Sequence, residues 1–569
     1  MHKLRRLIIA IAVAALLIYL LVPRMEPKLA PNSILVLDLA GEYVESAEPA
    51  YFSRLLARPR RPFVSLLSEI AKAERDERLA AVIFRVRGLE VGWGKAQEIR
   101  EAIARLAARG RRAVAYLELA SSSSNLDYYV ASAAPEIYAS PATRAPLAGL
   151  GAEFFFLGGF WDLLGVEFEV ERIGRYKTAA DTITGHDMSE ANREMADALL
   201  DSINAQFIEG IATSRALSSE AVRAAIDAAP FEPQELLAHR LIDGTLFFDE
   251  LVAKLGDGQL VEGAKYAGVD PTRVGFDPVA RFALIYGSGA VVTGSGSSSP
   301  TGSPVLAADT VSKALDAAAN ASDIDAIIFR VDSPGGSPLA SDIVWRAAER
   351  AKQRGKPLIA SFSDVAASGG YYAAVAADAI VASPASITGS IGVFVLRPVL
   401  GGLLEKLGIG FTSLTRGAHA DLQLSTARLS DASRERLRAE VSSIYALFVD
   451  RVATGRGLDS ERVDAVARGR VWTGAQAAER SLVDELGGLH TATRRAKQAL
   501  DLDVDADVEL VVYPQPRSLV EQLAEVLRGA RAQGPPGLDA ERARDLEPWL
   551  RAALEGGPAA LLPFRIDVR

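Results

Sequence analysis

Ser368 stands immediately before a Gly-Gly pair, in a stretch, residues 361–372, that reads SFSDVAASGGYY. The apolar run of residues 357–361 leads in as a buried strand, and residues 371–377 lead out as an Ala-rich helix. A serine at such a strand-to-helix turn has its hydroxyl near unpaired helix N-terminal amides. Gly369 and Gly370 then leave room for a substrate backbone to come close. Taken alone, Ala-Ser-Gly-Gly is more often an ordinary turn than a nucleophile. Amide hydrolysis by a serine also needs a base for its proton and donors for the oxyanion. Gly335 and Gly336 follow one strand and precede a helix, so their N–H groups can point into open space at the strand's carboxyl end, where an α/β sheet opens a crevice. A plain Pro-Gly turn is the alternative. For the base, His419 is the only histidine in the hundred residues after Ser368, which makes it the weaker choice. A lysine serves instead where burial lowers its pKa, because desolvation disfavours the ammonium. Lys177, in Gly174-Arg175-Tyr176-Lys177-Thr178, sits in a segment sparse in charge and flanked by Ala and Thr; a solvated surface lysine is the bland alternative.

The elements that must position these residues come in duplicate. Ile83-Phe84-Arg85-Val86 recurs as Ile328-Phe329-Arg330-Val331. Tyr128-Tyr129 recurs as Tyr371-Tyr372, Ala139-Ser140-Pro141 as Ala382-Ser383-Pro384, and Leu164-Gly165 with Gly174 as Leu407-Gly408 with Gly417, all at a spacing of 243 residues. Residues 211–217 match residues 452–458. A nearly constant offset over more than a hundred residues marks an internal repeat. Strands are expected at residues 34–39, 80–86 and 282–286, and a helix at 339–354 with Leu339, Ile343, Ala347 and Ala351 on one face before Gly355. Short β-runs alternating with amphipathic helices predict an α/β fold in each copy. The copies differ where chemistry is at stake. Asn125 stands opposite Ser368, Arg87-Gly88-Leu89-Glu90-Val91 replaces Asp332-Ser333-Pro334-Gly335-Gly336, and Ala420 stands opposite Lys177. Each copy keeps what the other lacks.

With 569 residues the chain divides into two or more domains, and 72 acidic against 63 basic residues, a net charge of -9, argue against a nucleic-acid partner. There is no cysteine, hence no disulfide, thiolate nucleophile or Cys-based metal site. His2, His186, His239, His419 and His490 show no metal-ligand spacing. At the amino end, Lys3, Arg5 and Arg6 precede an uninterrupted apolar run from Leu7 to Val22, roughly 24 Å long as a helix. The exit, Val22-Pro23-Arg24-Met25-Glu26-Pro27-Lys28, has no Ala-x-Ala cleavage pattern, which favours a retained signal anchor over a removed signal peptide. The basic start stays cytoplasmic and sends the rest across the membrane. Residues 1–30 are thus a basic start, transmembrane anchor and linker. Residues 31–255 are the first repeat, 256–281 a connector, 282–510 the second repeat, and 511–569 a C-terminal extension with no counterpart in the first copy.

Together these stretches resemble the long form of the signal peptide peptidase A family, peptidase family S49, whose members are membrane-anchored Ser-Lys proteases. The resemblance covers nearly the whole chain and rests on Ser-Pro-Gly-Gly at 333–336, Ala-Ser-Gly-Gly-Tyr at 367–371, Thr-Gly-Ser-Ile-Gly-Val at 388–393 and Gly-Arg-Tyr-Lys-Thr-Ala at 174–179. It implies two tandem Clp-protease/crotonase-like repeats after the transmembrane helix, Ser368 as nucleophile and Lys177 as general base. It also implies backbone oxyanion donors at Gly335, Gly336 and Gly369, and Ser390 as a hydroxyl orienting the lysine. No cofactor and no metal are implied. The implied substrates are cleaved signal peptides and similar apolar peptides. The implied state is a homo-oligomer, a bowl-like tetramer, in the bacterial inner membrane with its catalytic part on the extracytoplasmic side. After Lys177 this chain reads Thr178-Ala179-Ala180-Asp181-Thr182, where the family pattern leads one to expect Ser-Ala followed by an acid and a proline. Two rival readings are a crotonase-type acyl-CoA hydratase or isomerase using Asp332 and Asp364 as acid and base, and a non-catalytic membrane-tethered scaffold.

Overall fold

The structure, a computed structural model, describes residues 27–45, 61–120, 124–296, 299, 303–514 and 558–561. The anchor expected at residues 7–22 lies outside them. Among the described residues no helix is long and apolar enough to cross a membrane.

Each copy builds a parallel sheet from buried Val, Ile, Leu and Phe runs. Such continuous apolar strands require helices on both faces. In the first copy Ser33–Val44, Leu79–Glu90, Ala113–Leu117, Glu136–Ala139 and Gly244–Thr245 are neighbours in that order, all parallel. Leu260–Glu262 pairs with Ser33–Val44 on its other side. The second copy repeats the plan with Ala280–Ser288, Ala326–Ser333 and Leu358–Ala367, and Val508–Tyr513 takes the place beside the first of these strands. The helix expected at residues 339–354 forms, but its buried face is turned from the one expected: Leu339 is exposed and Ile343 only half-buried. Pro338–Gln353 carries Pro at its first turn, is capped by the Ser337 hydroxyl, and buries Ala340, Val344, Ala347 and Ala351. A 26-residue helix occurs in each copy, Glu190–Arg215 and Asp431–Arg456, capped by Ser189 and Ser430.

Leu358–Ala367 is the strand that presents the serine. Its first half pairs with Ala379–Ala382 and its second half with Ile387–Gly389, so two partners share one long strand. On its other edge Val331 faces Phe362 while Ser333 faces Ala366, a bulge that lets Ser363, Asp364 and Val365 leave the ladder with Ala326–Ser333.

The copies are joined by a third sheet. Glu167–Ile173 of the first pairs antiparallel with Val393–Val399 of the second, Ile173 opposite Val393. The register is reinforced by ion pairs across the junction: Glu169 with Arg397 and Arg434, both at 2.6 Å, and Glu171 with Arg438 at 2.7 Å. Deeper in the junction lies a buried cluster. Lys95 of the first copy donates to Asp332 (2.6 Å) and Asp364 (2.8 Å) of the second, and Arg330 bonds Glu98 (2.6 Å) and Glu45 (3.0 Å).

Candidate active site

The junction sheet delivers a lysine onto a serine. The chain leaves Glu167–Ile173 through Gly174 and reaches Lys177 four residues after the strand ends. Val393–Val399 follows directly on Ser390-Ile391-Gly392. Pairing these two strands therefore brings Lys177 beside Ser390, and the parallel pairing of Ala367 with Gly389 brings Ser368 to the same point. Lys177 Nζ lies 2.7 Å from Ser368 Oγ, 2.9 Å from the Ser390 carbonyl oxygen and 2.9 Å from Ser390 Oγ. All three residues are fully buried.

Burial pushes the Lys177 pKa well below its ordinary value, and no carboxylate opposes the shift. Lys95 makes the contrast. Burial would lower its pKa too, but Asp332, Asp364 and Glu45 outweigh that and hold it well above the ordinary value. A neutral amine has two N–H groups and one lone pair. In its neutral form the Lys177 amine can give its two N–H groups to the two Ser390 oxygens and turn its lone pair to the Ser368 hydroxyl.

Ser368 is held in an unusual backbone conformation, φ 54° and ψ -118°. Its N–H donates to the Gly389 carbonyl (2.8 Å) and its carbonyl accepts from Tyr372 N–H (2.9 Å), which starts the helix Gly369–Ala374. As the first residue of that helix, Gly369 has an amide the helix itself cannot satisfy. The glycine turn is equally constrained. Gly335 has φ +102°, and a Cβ on Gly336 would lie 2.2 Å from the Val291 carbonyl oxygen. The Gly335 N–H donates to Ser333 Oγ at 3.2 Å. Of the two turn glycines singled out in the sequence, Gly336 is the one whose amide is not engaged within the turn.

The other sequence candidates lie elsewhere or serve packing. His419 Nδ1 contacts Ser433 Oγ at 3.2 Å and not Ser368. Asp332 and Asp364, the rival acid-base pair, are both engaged by Lys95. Asn125, opposite Ser368 in the repeat, donates to the Gly149 carbonyl at 2.8 Å. Of the apolar residues next to Ser368 and Ser390 in sequence, Tyr371, Ile391, Val393 and Phe394 belong to the core, while Val365 is half-buried. Sequence reasoning missed Gly469. Its φ is +81°, and a Cβ there would lie 2.4 Å from Lys177 N and 2.5 Å from Lys177 Cα, so only glycine lets residues 468–470 clasp the lysine backbone. Tyr176 N–H donates to the Arg468 carbonyl in the same clasp (3.0 Å). The signal available was a glycine between two arginines in a loop.

The family model for peptidase family S49 matches residues 106–262 and 350–503, one stretch in each repeat. The chain belongs to peptidase family S49. This S49 peptidase is 34% identical over 509 residues to "Serine protease SPPA, chloroplastic" of Arabidopsis thaliana, covering 88% of this chain and 73% of that protein. It is 28% identical over 433 residues to "Protease 4" of Haemophilus influenzae, covering 70% and 66%. It is 35% identical over 164 residues to "Putative signal peptide peptidase SppA" of Enterococcus faecium, covering 29% and 48%. Among solved structures, a point mutant of ClpP1 from Listeria monocytogenes is similar at 16% identity and a TM-score of 0.24, covering 37% of this chain and 94% of that one. The S49 peptidase is a serine protease with two family repeats on an α/β fold.

Proposed function

We propose that this S49 peptidase is a membrane-tethered endopeptidase that uses Ser368 as nucleophile and Lys177 as general base. The observation that carries the reading is the 2.7 Å approach of Lys177 Nζ to Ser368 Oγ in a buried site with no counter-charge, the two residues coming from opposite repeats. The neutral amine takes the hydroxyl proton as Oγ attacks the peptide carbonyl. The Gly336 and Gly369 amides face the oxygen on which negative charge develops. The ammonium then returns the proton to the leaving amine, and the amine activates water to release the acyl group from Ser368. No cofactor enters these steps.

Substrates are peptides in extended form, signal peptides freed in the membrane first among them. The apolar run at residues 7–22 is the tether that keeps the cleft beside the extracytoplasmic face of a bacterial inner membrane, where such peptides concentrate. The repeat itself supports a homo-oligomer. By the 243-residue offset, Glu167–Ile173 corresponds to residues 410–416 and Val393–Val399 to residues 150–156, and neither counterpart pairs with a strand among the described residues. Leu414 is 84% and Phe155 76% exposed on them. Repeating the internal pairing between chains joins residues 410–416 of one copy to residues 150–156 of the next. That is a head-to-tail contact that closes into a ring, with the tetramer as the size the family resemblance implies. Asn125 and Ala420 would meet at those junctions, so each chain brings one working pair, formed within itself.

A fluorophosphonate or β-lactone probe applied to wild type, Ser368→Ala and Lys177→Ala tests the assignment. Labelling is expected in wild type, absent in Ser368→Ala and strongly slowed in Lys177→Ala. Persistent labelling of Ser368→Ala rejects the nucleophile, and normal peptide hydrolysis by Lys177→Ala rejects the base.

A further inference from the structure

The strand Pro558–Leu561 is the described part of the C-terminal extension beyond Pro514, and it is paired on both sides. Leu561 and Ala560 lie antiparallel to Gly335 and Gly336. Ala559 and Pro558 lie antiparallel to Phe394 and Val395. One flank is therefore the glycine turn with the candidate oxyanion donor. The other is the strand that leaves Ser390 and also pairs with the lysine-bearing segment.

A peptide attacked by Ser368 needs that same place. Its carbonyl must meet Oγ and the Gly336 and Gly369 amides together, which lays the backbone extended between the two flanks. Two open strand edges facing each other across a narrow gap are a template for such an addition. A second observation points the same way. Ser368, Lys177 and Ser390 are each 0% exposed, and Gly336 and Gly369 are buried with them. A nucleophile that must meet external peptides is here buried, and a strand of the same chain is paired to both flanks of its cleft.

We propose that Pro558–Leu561 is a built-in competitor: the chain's own tail occupies the peptide cleft in the substrate's place, and turnover requires its displacement. The proposal rests on reading Ser368 and Lys177 as the working pair. It also states what the cleft accepts, an extended uncharged run of the type Pro-Ala-Ala-Leu. A tethered segment has an effective concentration on the order of millimolar. If its own dissociation constant is about a tenth of that, the cleft is free about a tenth of the time, and the apparent affinity for external peptide falls about tenfold.

The test compares three proteins: the full chain, a chain stopped after Gly557, and the full chain carrying both A559P and A560P. Successive amides of a strand point to opposite edges, so the two prolines remove donors from both pairings. The readouts are the rate of fluorophosphonate labelling at Ser368 and the kcat and KM for a chromogenic peptide. Both altered proteins are expected to label about tenfold faster than the full chain, with KM lowered by a similar factor and kcat held. A synthetic peptide of residues 555–564, added to the stopped chain, is expected to slow labelling again. Equal labelling rates in the full chain and the proline variant overturn the competitor while leaving the Ser368 assignment standing. Absence of labelling in all three overturns the assignment instead. The proline variant decides the matter even where the stopped chain fails to fold.

Discussion

Replacing Ser390 with alanine isolates the orientation of the Lys177 amine. The amine has three oxygen neighbours, Ser368 Oγ at 2.7 Å and the carbonyl and hydroxyl oxygens of Ser390 at 2.9 Å each. With the hydroxyl gone, one N–H of the neutral amine points at a methyl group in a fully buried site. Leaving such a donor unpaired costs about 1–3 kcal/mol. The amine avoids that cost by turning the N–H toward Ser368 Oγ, which aims its lone pair away from the proton it must take. The reactive orientation becomes the minor one, and about 1–3 kcal/mol corresponds to a loss of roughly 5- to 150-fold in kcat. KM for a chromogenic peptide should hold, because the Ser390 hydroxyl faces the lysine and not the peptide flanks. Alanine tolerates the backbone no worse than serine does, since Ser390 already has φ 52° and both residues carry a Cβ. Steady-state kinetics on folded Ser390→Ala at saturating peptide decide the issue. A kcat within about twofold of wild type would refute the argument, because the backbone carbonyl alone would then suffice to aim the amine.

Three further outcomes follow from the same geometry. Lys177→Met should lower kcat by about 10²- to 10⁴-fold. It should also abolish a pH dependence of stability: the folded pKa of Lys177 is depressed, so between that value and the ordinary lysine pKa of about 10.4 the unfolded chain binds more protons and stability rises with pH. Denaturant titrations from neutral to alkaline pH should show that rise shrink in Lys177→Met, and an unchanged slope would mean the amine is not depressed. Gly469→Ala forces a Cβ to within 2.4 Å of Lys177 N, so activity should fall by about a hundredfold, the cost of displacing a reacting group by about 1 Å. Gly457→Ala, at φ +60° with nothing within 4 Å of its Cβ, should instead cost about 1 kcal/mol of stability and leave kcat alone; equal kinetic losses at both would reject the clasp. Leu414→Asp should turn the oligomer into monomers by light scattering while Ser368 labelling persists, and an unchanged mass would remove residues 410–416 from the interface.

Much of this is legible in the sequence. Strands and helices in each copy carry strong local signals, such as the β-run of residues 326–333 and the proline and serine that start Pro338–Gln353, and they fall within a few residues of expectation. Ser368 and Lys177 stand out because an internal comparison exposes what each copy has lost. What stays hidden is encoded by distant partners. Lys95 and Lys177 read alike as sequence, yet three carboxylates raise the pKa of one while burial with no carboxylate beside it lowers that of the other. The Gly335 amide looks free, and only its contact with Ser333 Oγ shows otherwise. Gly469 matters solely because Lys177, hundreds of positions earlier in the chain, passes against it. The pairing of Pro558–Leu561 likewise depends on two edges that no local pattern in the tail announces.

On the proposed assignment the amine and the hydroxyl belong to different halves of one polypeptide, so neither half would be an enzyme by itself. Cutting the chain between Glu262 and Ala280, the end of one sheet and the start of the other, would yield two inert fragments whose hydrolytic power returns only on reassembly. A covalent join between the halves guarantees that each polypeptide matches one donor with one acceptor, whatever the protein's abundance. Since the duplication each half has been free to discard the group its sibling supplies, and neither can now be lost.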